Sequence, residues 1–408
     1  MKVIAIAGTF DTKGAEYLYV KELVEELGLK PYMIHTGVFE PAFSPDVTNK
    51  EIAAAAGYEI EEIVEKRDRA MATEILSKGM QIIIPQLYAE GKFDGILSFG
   101  GSGGTSLATP AMRALPIGVP KVMVSTMASG NVEQYVGTSD IVMMPSIVDV
   151  AGLNRISKTI FRNAVLAIAG MVGAAGELKE DKEQNKPLIA ATMFGVTTPC
   201  VNCAKEYLEE QGYEVLVFHA TGTGGKTMEA LIEAGFFKGI LDLTTTEWCD
   251  ELLGGVLAAG PNRMEAAIKN QIPEVVSVGA MDMVNFGPME TVPKQFAKRN
   301  LYKHNPTVTL MRTTVEDNIK LGNKVAEKLN EATSKVTLML PLGGVSAIDA
   351  EGQPFYGPEE DKALFKTLKE KIHSQYVEIV EMSENINDKH FAETAAKKLV
   401  SLMKESEV

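Results

Sequence analysis

The chain has 408 residues, 45% hydrophobic and 23% charged, which excludes a disordered polymer and leaves room for two or three domains with sizeable cores. A formal net charge of −14 excludes the broad basic field that nucleic acid or an anionic membrane surface requires. No charged, apolar and cleavable leader precedes the apolar run at Val3, and three cysteines make no disulfide framework, so a reducing cytoplasm is expected.

Val3-Ile4-Ala5-Ile6-Ala7 predicts a buried first strand, and Val20, Leu23, Val24 and Leu27 at helical spacing predict a helix over 15–27. Between them stands Gly8-Thr9-Phe10-Asp11-Thr12-Lys13-Gly14-Ala15-Glu16. A strand-to-helix turn of this kind lets backbone amides approach an anion, and Lys13 adds a cation. The letters match neither a P-loop nor a dinucleotide fingerprint. A structural turn with Asp11 or Thr12 as helix N-cap is the alternative.

Residues 30–37 predict a second strand ending in His35-Thr36-Gly37, which completes a strand-helix-strand unit with parallel pairing. Pro41 and Pro45 mark a loop, and helices follow around 51–56, 60–77 and 80–90, the last turned by Pro85. Arg67, Asp68 and Arg69 read as a solvated helix face. A buried strand over 93–99 then runs into Gly100-Gly101-Ser102-Gly103-Gly104-Thr105-Ser106, ahead of a helix starting near Ala108. Such a loop at a strand's carboxyl end is a ligand site or a tight crossover. The strand over 119–124 ends in another small-polar loop, Ser125 to Asn131, which contains Ser129. Three such turns at one sheet edge favour a common site. The helix over 156–176 carries a thirteen-residue apolar run from Ala164 to Gly176, too short for a bilayer at about twenty residues. Residues 177–187, charged and closed by Pro187, read as a linker.

The second half repeats the first. Gly195, His219, Gly239 and Pro273 stand where Gly8, His35, Gly95 and Pro120 stand in the first copy. The offset drops by about forty residues between the second and third landmarks, which places an insertion within 38–92. The expected architecture is α/β: two duplicated Rossmann-like domains, 1–180 and 187–408, with mainly parallel sheets and a ligand cleft between them.

The copies differ where chemistry would sit. The second has Thr198-Pro199-Cys200 in place of Asp11-Thr12-Lys13, but carries Thr221, Gly222, Thr223, Gly224, Gly225 and Lys226 after His219. These are candidate anion-binding, hence substrate-binding, residues. Asp242, followed by Thr244, Thr245, Thr246 and Glu247, is a further candidate substrate-binding residue, and a carboxylate so placed reads also as metal ligand, base or N-cap. Arg263, Asp282 and Asn285 gather near the same presumed edge. Cys200 and Cys203 have C-x-x-C spacing at a helix start, weak grounds for redox or metal chemistry against plain burial. His219, Arg263 and His304 are the candidate catalytic groups, set against ordinary loop and packing roles.

These segments, namely GTFDTKGAE, FGGSGGTSLAT, FGVTTPCV, HATGTGGKTMEAL, YKHNPTVTLMRTT and LPLGGVSAID, resemble the ATP-binding family of the tomato tobamovirus-resistance protein's N-terminal half and its bacterial relatives, over essentially the whole chain. The resemblance implies two Rossmann-like domains, a homodimer, and ATP with magnesium in the first domain. It maps the nucleotide onto Gly8, Thr9, Asp11, Thr12, Lys13 and Gly14, and onto Gly100, Gly101, Ser102, Gly103, Gly104 and Thr105, with Ser129 nearby. It also implies a TIM-barrel partner encoded separately. The expected function is a cytoplasmic, ATP-binding metabolic enzyme acting on a small anionic substrate. A nucleotide sensor without turnover, or a hydrolase or lyase using the second domain alone, is the alternative.

Overall fold

Continuous apolar runs such as Ile4 to Ala7 and Ile96 to Phe99 suit parallel strands covered on both faces. In the computed structural model, which describes residues 1–174 and 186–406, these runs build two units, Met1–Asp181 and Lys182–Val408. The expected linker lies almost wholly outside the described residues.

The first unit runs β1 (Val3–Gly8), α1 (Gly14–Glu26), β2 (Lys30–His35), α2 (Asn49–Ala55), α3 (Ile60–Lys66), α4 (Arg69–Ala89), β3 (Gly95–Gly100), α5 (Ser102–Arg113), β4 (Lys121–Ser125), α6 (Glu133–Val136), β5 (Val142–Pro145) and α7 (Arg155–Ala174). The sheet order is β2-β1-β3-β4-β5, parallel at every pair. Side chains of α1 and α7 pack on one face of β1, those of α4 and α5 on the other. The winding therefore reverses between β1 and β3, the place where open α/β sheets leave a crevice at their carboxyl edge.

The second unit runs β6 (Leu188–Met193), α8 (Thr198–Glu210), β7 (Glu214–His219), α9 (Thr223–Glu233), β8 (Gly239–Thr244), α10 (Glu247–Leu253), α11 (Ala266–Lys269) and β9 (Glu274–Gly279). It continues through β10 (Met283–Phe286), β11 (Leu301–Asn305), β12 (Val308–Arg312), α12 (Val315–Asn330), β13 (Val336–Pro341), α13 (Pro358–Lys371), β14 (Val377–Met382) and α14 (Lys389–Ser406). Its main sheet, β7-β6-β8-β9-β13-β14, repeats the first unit's order and adds an edge strand. The duplication read from spacing is thus a duplication of topology. A further correspondence lies at Gly95 and Gly239. A Cβ there would lie 2.7 Å from Val172 in α7 and 2.5 Å from Met403 in α14, so each copy opens its third strand with glycine to seat its last helix.

The insertion expected within 38–92 is the helical trio α2 to α4, where the second unit has α9 alone. Its internal breaks differ from expectation. Arg67 adopts a left-handed φ of 51° and ends α3, and Asp68 caps α4 by accepting from the amides of Ala70 and Met71 at 2.9 and 3.1 Å. The Arg67-Asp68-Arg69 cluster is therefore a helix junction, and its three residues are exposed as expected. Pro85 falls inside α4 without ending it, near the close of a 21-residue helix where one missing amide bond is tolerated. The hairpin of β11 and β12 was not anticipated either. It pairs with β10 in a separate antiparallel sheet, β10-β12-β11, because Asn305-Pro306-Thr307 forms a tight turn in which Asn305 Oδ1 accepts from the Thr307 amide at 2.8 Å.

Candidate functional site

The first amides of each crossover helix lack partners within the helix and open onto the carboxyl edge of a sheet. What meets those amides separates the two units.

In the first unit, Gly8 ends β1 because a Cβ would lie 1.8 Å from the Tyr17 ring. The Tyr17 hydroxyl donates to the Phe99 carbonyl at 2.8 Å, tying α1 to β3. Lys13, not Asp11 or Thr12, precedes α1 as its N-cap, and no side chain accepts from the first amides of the helix. The Lys13 ammonium donates to the Val150 carbonyl, and Glu16 accepts from the Gly152 amide at 2.6 Å. The loop after β5 is thus latched onto the start of α1. Asp11 faces elsewhere: it accepts from the amides of Thr12 at 2.8 Å and Phe39 at 3.1 Å. Thr12 donates to the hydroxyl of Thr9 at 2.9 Å. His35 is fully buried, accepts from the Phe10 amide through Nδ1 at 3.2 Å and bonds the Phe39 carbonyl through Nε2 at 2.8 Å, which fixes its proton on Nε2.

After β3, the helix begins at Ser102 and not near Ala108, so Ser102, Gly103 and Gly104 form the first turn of α5 and no loop precedes them. The Thr105 amide closes that turn onto the Gly101 carbonyl at 2.9 Å, and its hydroxyl bonds Ser125 Oγ at 2.6 Å. Gly101 is the N-cap and supplies no side-chain acceptor. Arg69, from the start of α4, brings its guanidinium to this turn: a Cβ on Gly103 would lie 3.4 Å from Arg69 Nη2. Among the described residues no carboxylate pairs with that guanidinium, and only the Arg69 carbonyl is engaged outside its helix ladder, by Thr73. The Gly101 position lies 3.7 Å from Thr126 Oγ1 in the loop after β4, the loop that carries the exposed Ser129. Two uncapped helix starts therefore flank the β1/β3 reversal. Lys13 was predicted as the cation of this edge; Arg69 had been read only as part of a solvated face, and α4's packing against α5 brings it to the start of that helix.

The second unit closes the same edge with its own side chains. Glu247 Oε1 accepts from the amides of Gly222 and Gly225 at 2.7 and 3.1 Å, so the anion foreseen at the Thr221–Lys226 segment is an internal carboxylate. Arg263, 1% exposed, donates from Nε to Glu247 Oε2 at 2.7 Å. It also makes a two-pronged pair with Asp242 at 2.6 and 2.7 Å and reaches Glu229 at 3.2 Å. Burial alone would lower the Arg263 pKa, yet Asp242 and Glu247 hold it well above its ordinary value. Glu274 is buried beside this group, and burial, followed by the charges of Asp242 and Glu229, pushes its carboxyl well up. At β6, the Thr197 and Thr244 hydroxyls bond each other at 2.8 Å across the reversal, and Asn387 Oδ1 accepts from the Cys200 amide at 3.3 Å. Arg263 and Asp242 thus hold the unit together and are turned away from solvent, contrary to the catalytic and substrate roles expected for them.

The remaining candidates lie apart. His219 is exposed at the end of β7, with its ring edge-on to Phe194 at 5.5 Å. Thr223 and Lys226 are exposed on α9, while Thr221 and Gly224 are half-buried. His304 is exposed near the hairpin tip of the separate antiparallel sheet. Cys200 is buried, which pushes its thiol far up and removes the thiolate that C-x-x-C chemistry needs.

A second polar cluster was not foreseen: Asp282 was expected at the other cluster's edge, and Asp361 was not singled out. Arg312, ending β12, donates to Asp361 Oδ1 at 2.8 Å and Asp349 Oδ1 at 3.1 Å from Nη2, and to the Phe355 carbonyl at 2.7 Å from Nε. Asp282 lies fully buried nearby, accepts from Ser346 at 2.8 Å, and leaves its Oδ1 without a partner. Three carboxyls thus share one guanidinium. Burial and then the Asp349 charge push Asp282 up to about 7 and Asp361 up to about 8. Among the described residues no three His, Cys, Asp or Glu side chains are disposed to hold a metal ion.

Residues 2–177 match the Uncharacterised protein family (UPF0261) N-terminal domain, and residues 186–403 match its C-terminal domain. The chain belongs to the UPF0261 family. A UPF0261 protein of Clostridium tetani is 58% identical over 98% of this chain and 99% of its own length. The ToMV resistance protein Tm-1(GCR237) of Solanum lycopersicum is 48% identical over 79% of this chain, a stretch that spans 43% of the tomato protein. The tomato and bacterial relatives expected from the motifs are therefore among those found. Among solved structures, a UDP-N-acetylglucosamine 2-epimerase from Rickettsia bellii aligns over 99% of this chain and 96% of its own, at 9% identity and a TM-score of 0.24, and nothing about this UPF0261 chain follows from so slight a likeness.

Two outcomes follow from these networks. Arg263→Met leaves buried carboxylates without their counter-ion and is expected to cost roughly 3–5 kcal/mol in chemical denaturation; an unchanged midpoint would refute the structural role. Asp361 has a folded-state pKa raised to about 8, above an unfolded value of about 4. Its contribution to stability is whole below the unfolded value and is lost as pH rises through the folded one. The thermal midpoint of Asp361→Asn should therefore gain on wild type between pH 5 and 9, whereas a constant difference would contradict the shift.

Proposed function

We propose that the protein binds the polyphosphate of ATP, with its magnesium, at the carboxyl edge of the first unit where the winding reverses between β1 and β3. The observation that carries this reading is the start of α5. Its first amides have no side-chain acceptor, and the Arg69 guanidinium lies over Gly103 with no carboxylate paired to it among the described residues. Amides at a helix start with a guanidinium beside them suit a phosphate in both charge and geometry. The uncapped start of α1 on the neighbouring strand offers a second phosphate position. In the second unit the counterpart of α1 gives its Cys200 amide to Asn387, and the start of α10, the counterpart of α5, is buried at Thr245, Thr246 and Glu247, which favours one nucleotide per chain.

The magnesium fits this reading as an ion carried in on the phosphates, because the described residues gather no carboxylate set for it. Lys13 would act by holding the loop after β5 against α1, since its ammonium is given to Val150. The first unit would then present a nucleotide to a small anionic substrate.

Isothermal titration with ATP and magnesium tests the reading. Removing a charged hydrogen-bond donor is worth about 1.5–3 kcal/mol, so Arg69→Ala should weaken binding by about tenfold or more. Absence of binding to wild type, or equal affinity in Arg69→Ala, would sink it. Phosphate release with candidate acids present then separates an enzyme from a nucleotide sensor.

A further inference from the structure

In the second unit a cavity of about 620 Å³ lies between the loop leaving β13 and one side of α13. The volume is that of a small-molecule site. Its rim is fixed by the backbone. A Cβ on Gly343 would lie 2.7 Å from the Asn385 amide nitrogen, and Gly344 adopts a φ of 123° that side chains avoid.

The wall has two chemically distinct parts. Along α13, Lys362, Lys366 and Lys369 recur on successive turns of the side that lines the cavity. Glu381 neutralises Lys369 at 2.5 Å. Lys366 has only Glu370, at 3.8 Å on the exposed surface, and among the described residues no carboxylate pairs with Lys362. Two lysines of the lining, Lys362 and Lys366, thus lack a close carboxylate partner among the described residues. Elsewhere the wall is formed by the exposed Glu351, by Asp361, held by Arg312 in front of the fully buried Asp349, and by the half-exposed ring of Tyr356.

We propose that this cavity is a binding site for a small phosphorylated polyol, with the phosphate on Lys362 and Lys366, a hydroxyl on Asp361, and the C–H face of the ligand on Tyr356. A phosphate dianion needs two or more cations at close range, and paired ammonium groups supply them. Carboxyls fixed by a guanidinium are rigid acceptors for hydroxyl groups. The flat Tyr356 ring covers apolar C–H bonds while its hydroxyl stays wet. The proposal stands independently of the nucleotide reading, because it uses no residue of the first unit.

Isothermal titration of the full chain with ribose 5-phosphate, ribose and inorganic phosphate tests it. Ribose 5-phosphate is expected to bind with a Kd at or below about 1 mM, and ribose or phosphate alone at least about tenfold more weakly. Lys362→Ala combined with Lys366→Ala, both on the surface of α13, should weaken ribose 5-phosphate by about tenfold, and Tyr356→Ala should weaken it also. Arg69→Ala should leave this affinity unchanged even if it abolishes ATP binding. The proposal is overturned if ribose 5-phosphate gives no heat at about 10 mM, or if inorganic phosphate binds equally well. It is likewise overturned if affinity survives the double lysine substitution and falls in Arg69→Ala.

Discussion

A parallel sheet obliges every crossover helix to begin at the same edge, with amides that have no partner of their own. The second unit satisfies this demand from within, and the consequences spread through it. Glu247 placed on the Gly222 and Gly225 amides is a buried charge, so a cation must reach it. Arg263 does so and is itself buried, which calls in Asp242 and Glu229. Glu229 then accepts from the amides of Met264 and Ala266 and starts α11. One unmet helix terminus thus determines a chain of contacts from α9 through β8 and α10 to α11. Removing the guanidinium would leave carboxylates in a dry interior, whereas removing a surface ion pair of this protein would change little.

The Arg312 cluster meets a different demand. The strands β10 to β12 form a sheet of their own, and a small sheet is marginal unless it packs on something larger. Arg312 anchors it by reaching from the end of β12 to Asp349 after β13 and to Asp361 at the start of α13. Its carboxyls outnumber its charge, so their pKa values rise in place of further cations being buried. Of these carboxyls Asp361 reaches the cavity beside α13 with a sliver of its surface, so the device that docks the small sheet also borders that open volume.

The inner strands of the parallel sheets, the duplication and the inserted helices were legible because they rest on local signals: apolar runs, glycine punctuation and spacing. Gly8 to Gly195 and Gly95 to Gly239 align by order alone. The roles of the glycines were not legible. Gly8 reads as a phosphate glycine, yet the Tyr17 ring needs its space; Gly225 reads likewise, yet a Cβ there would lie 2.2 Å from Glu247 Oε2. The sequence signal of an anion-binding turn was sound, but it does not say whose anion binds. Glu247 stands 22 residues beyond Gly225 and Arg69 stands 34 before Gly103. Only the packing of α10 and α4 brings each to its helix start. The Arg312 cluster escaped for the same reason, its carboxyls lying 37 and 49 residues from the arginine.

The two copies diverge most around the second strand, and that divergence bears on the open edge. In the first unit the chain after β2 wraps back over its end: Asn49 donates to the Gly37 carbonyl at 2.9 Å, and His35 becomes fully buried. In the second, without the insertion, His219 stays exposed and α9 follows within four residues. The insertion that buries His35 also adds α4, whose first residue is Arg69. The cation beside α5 therefore arrived with the helical insertion and has no counterpart in the copy that lacks it. Where Glu247 and Arg263 close one sheet edge with a buried ion pair, the other edge has gained a guanidinium and no carboxylate. An electropositive, uncapped helix start of that kind is stable in water, because solvent meets the amides, and it becomes a strong site only when an anion replaces that solvent.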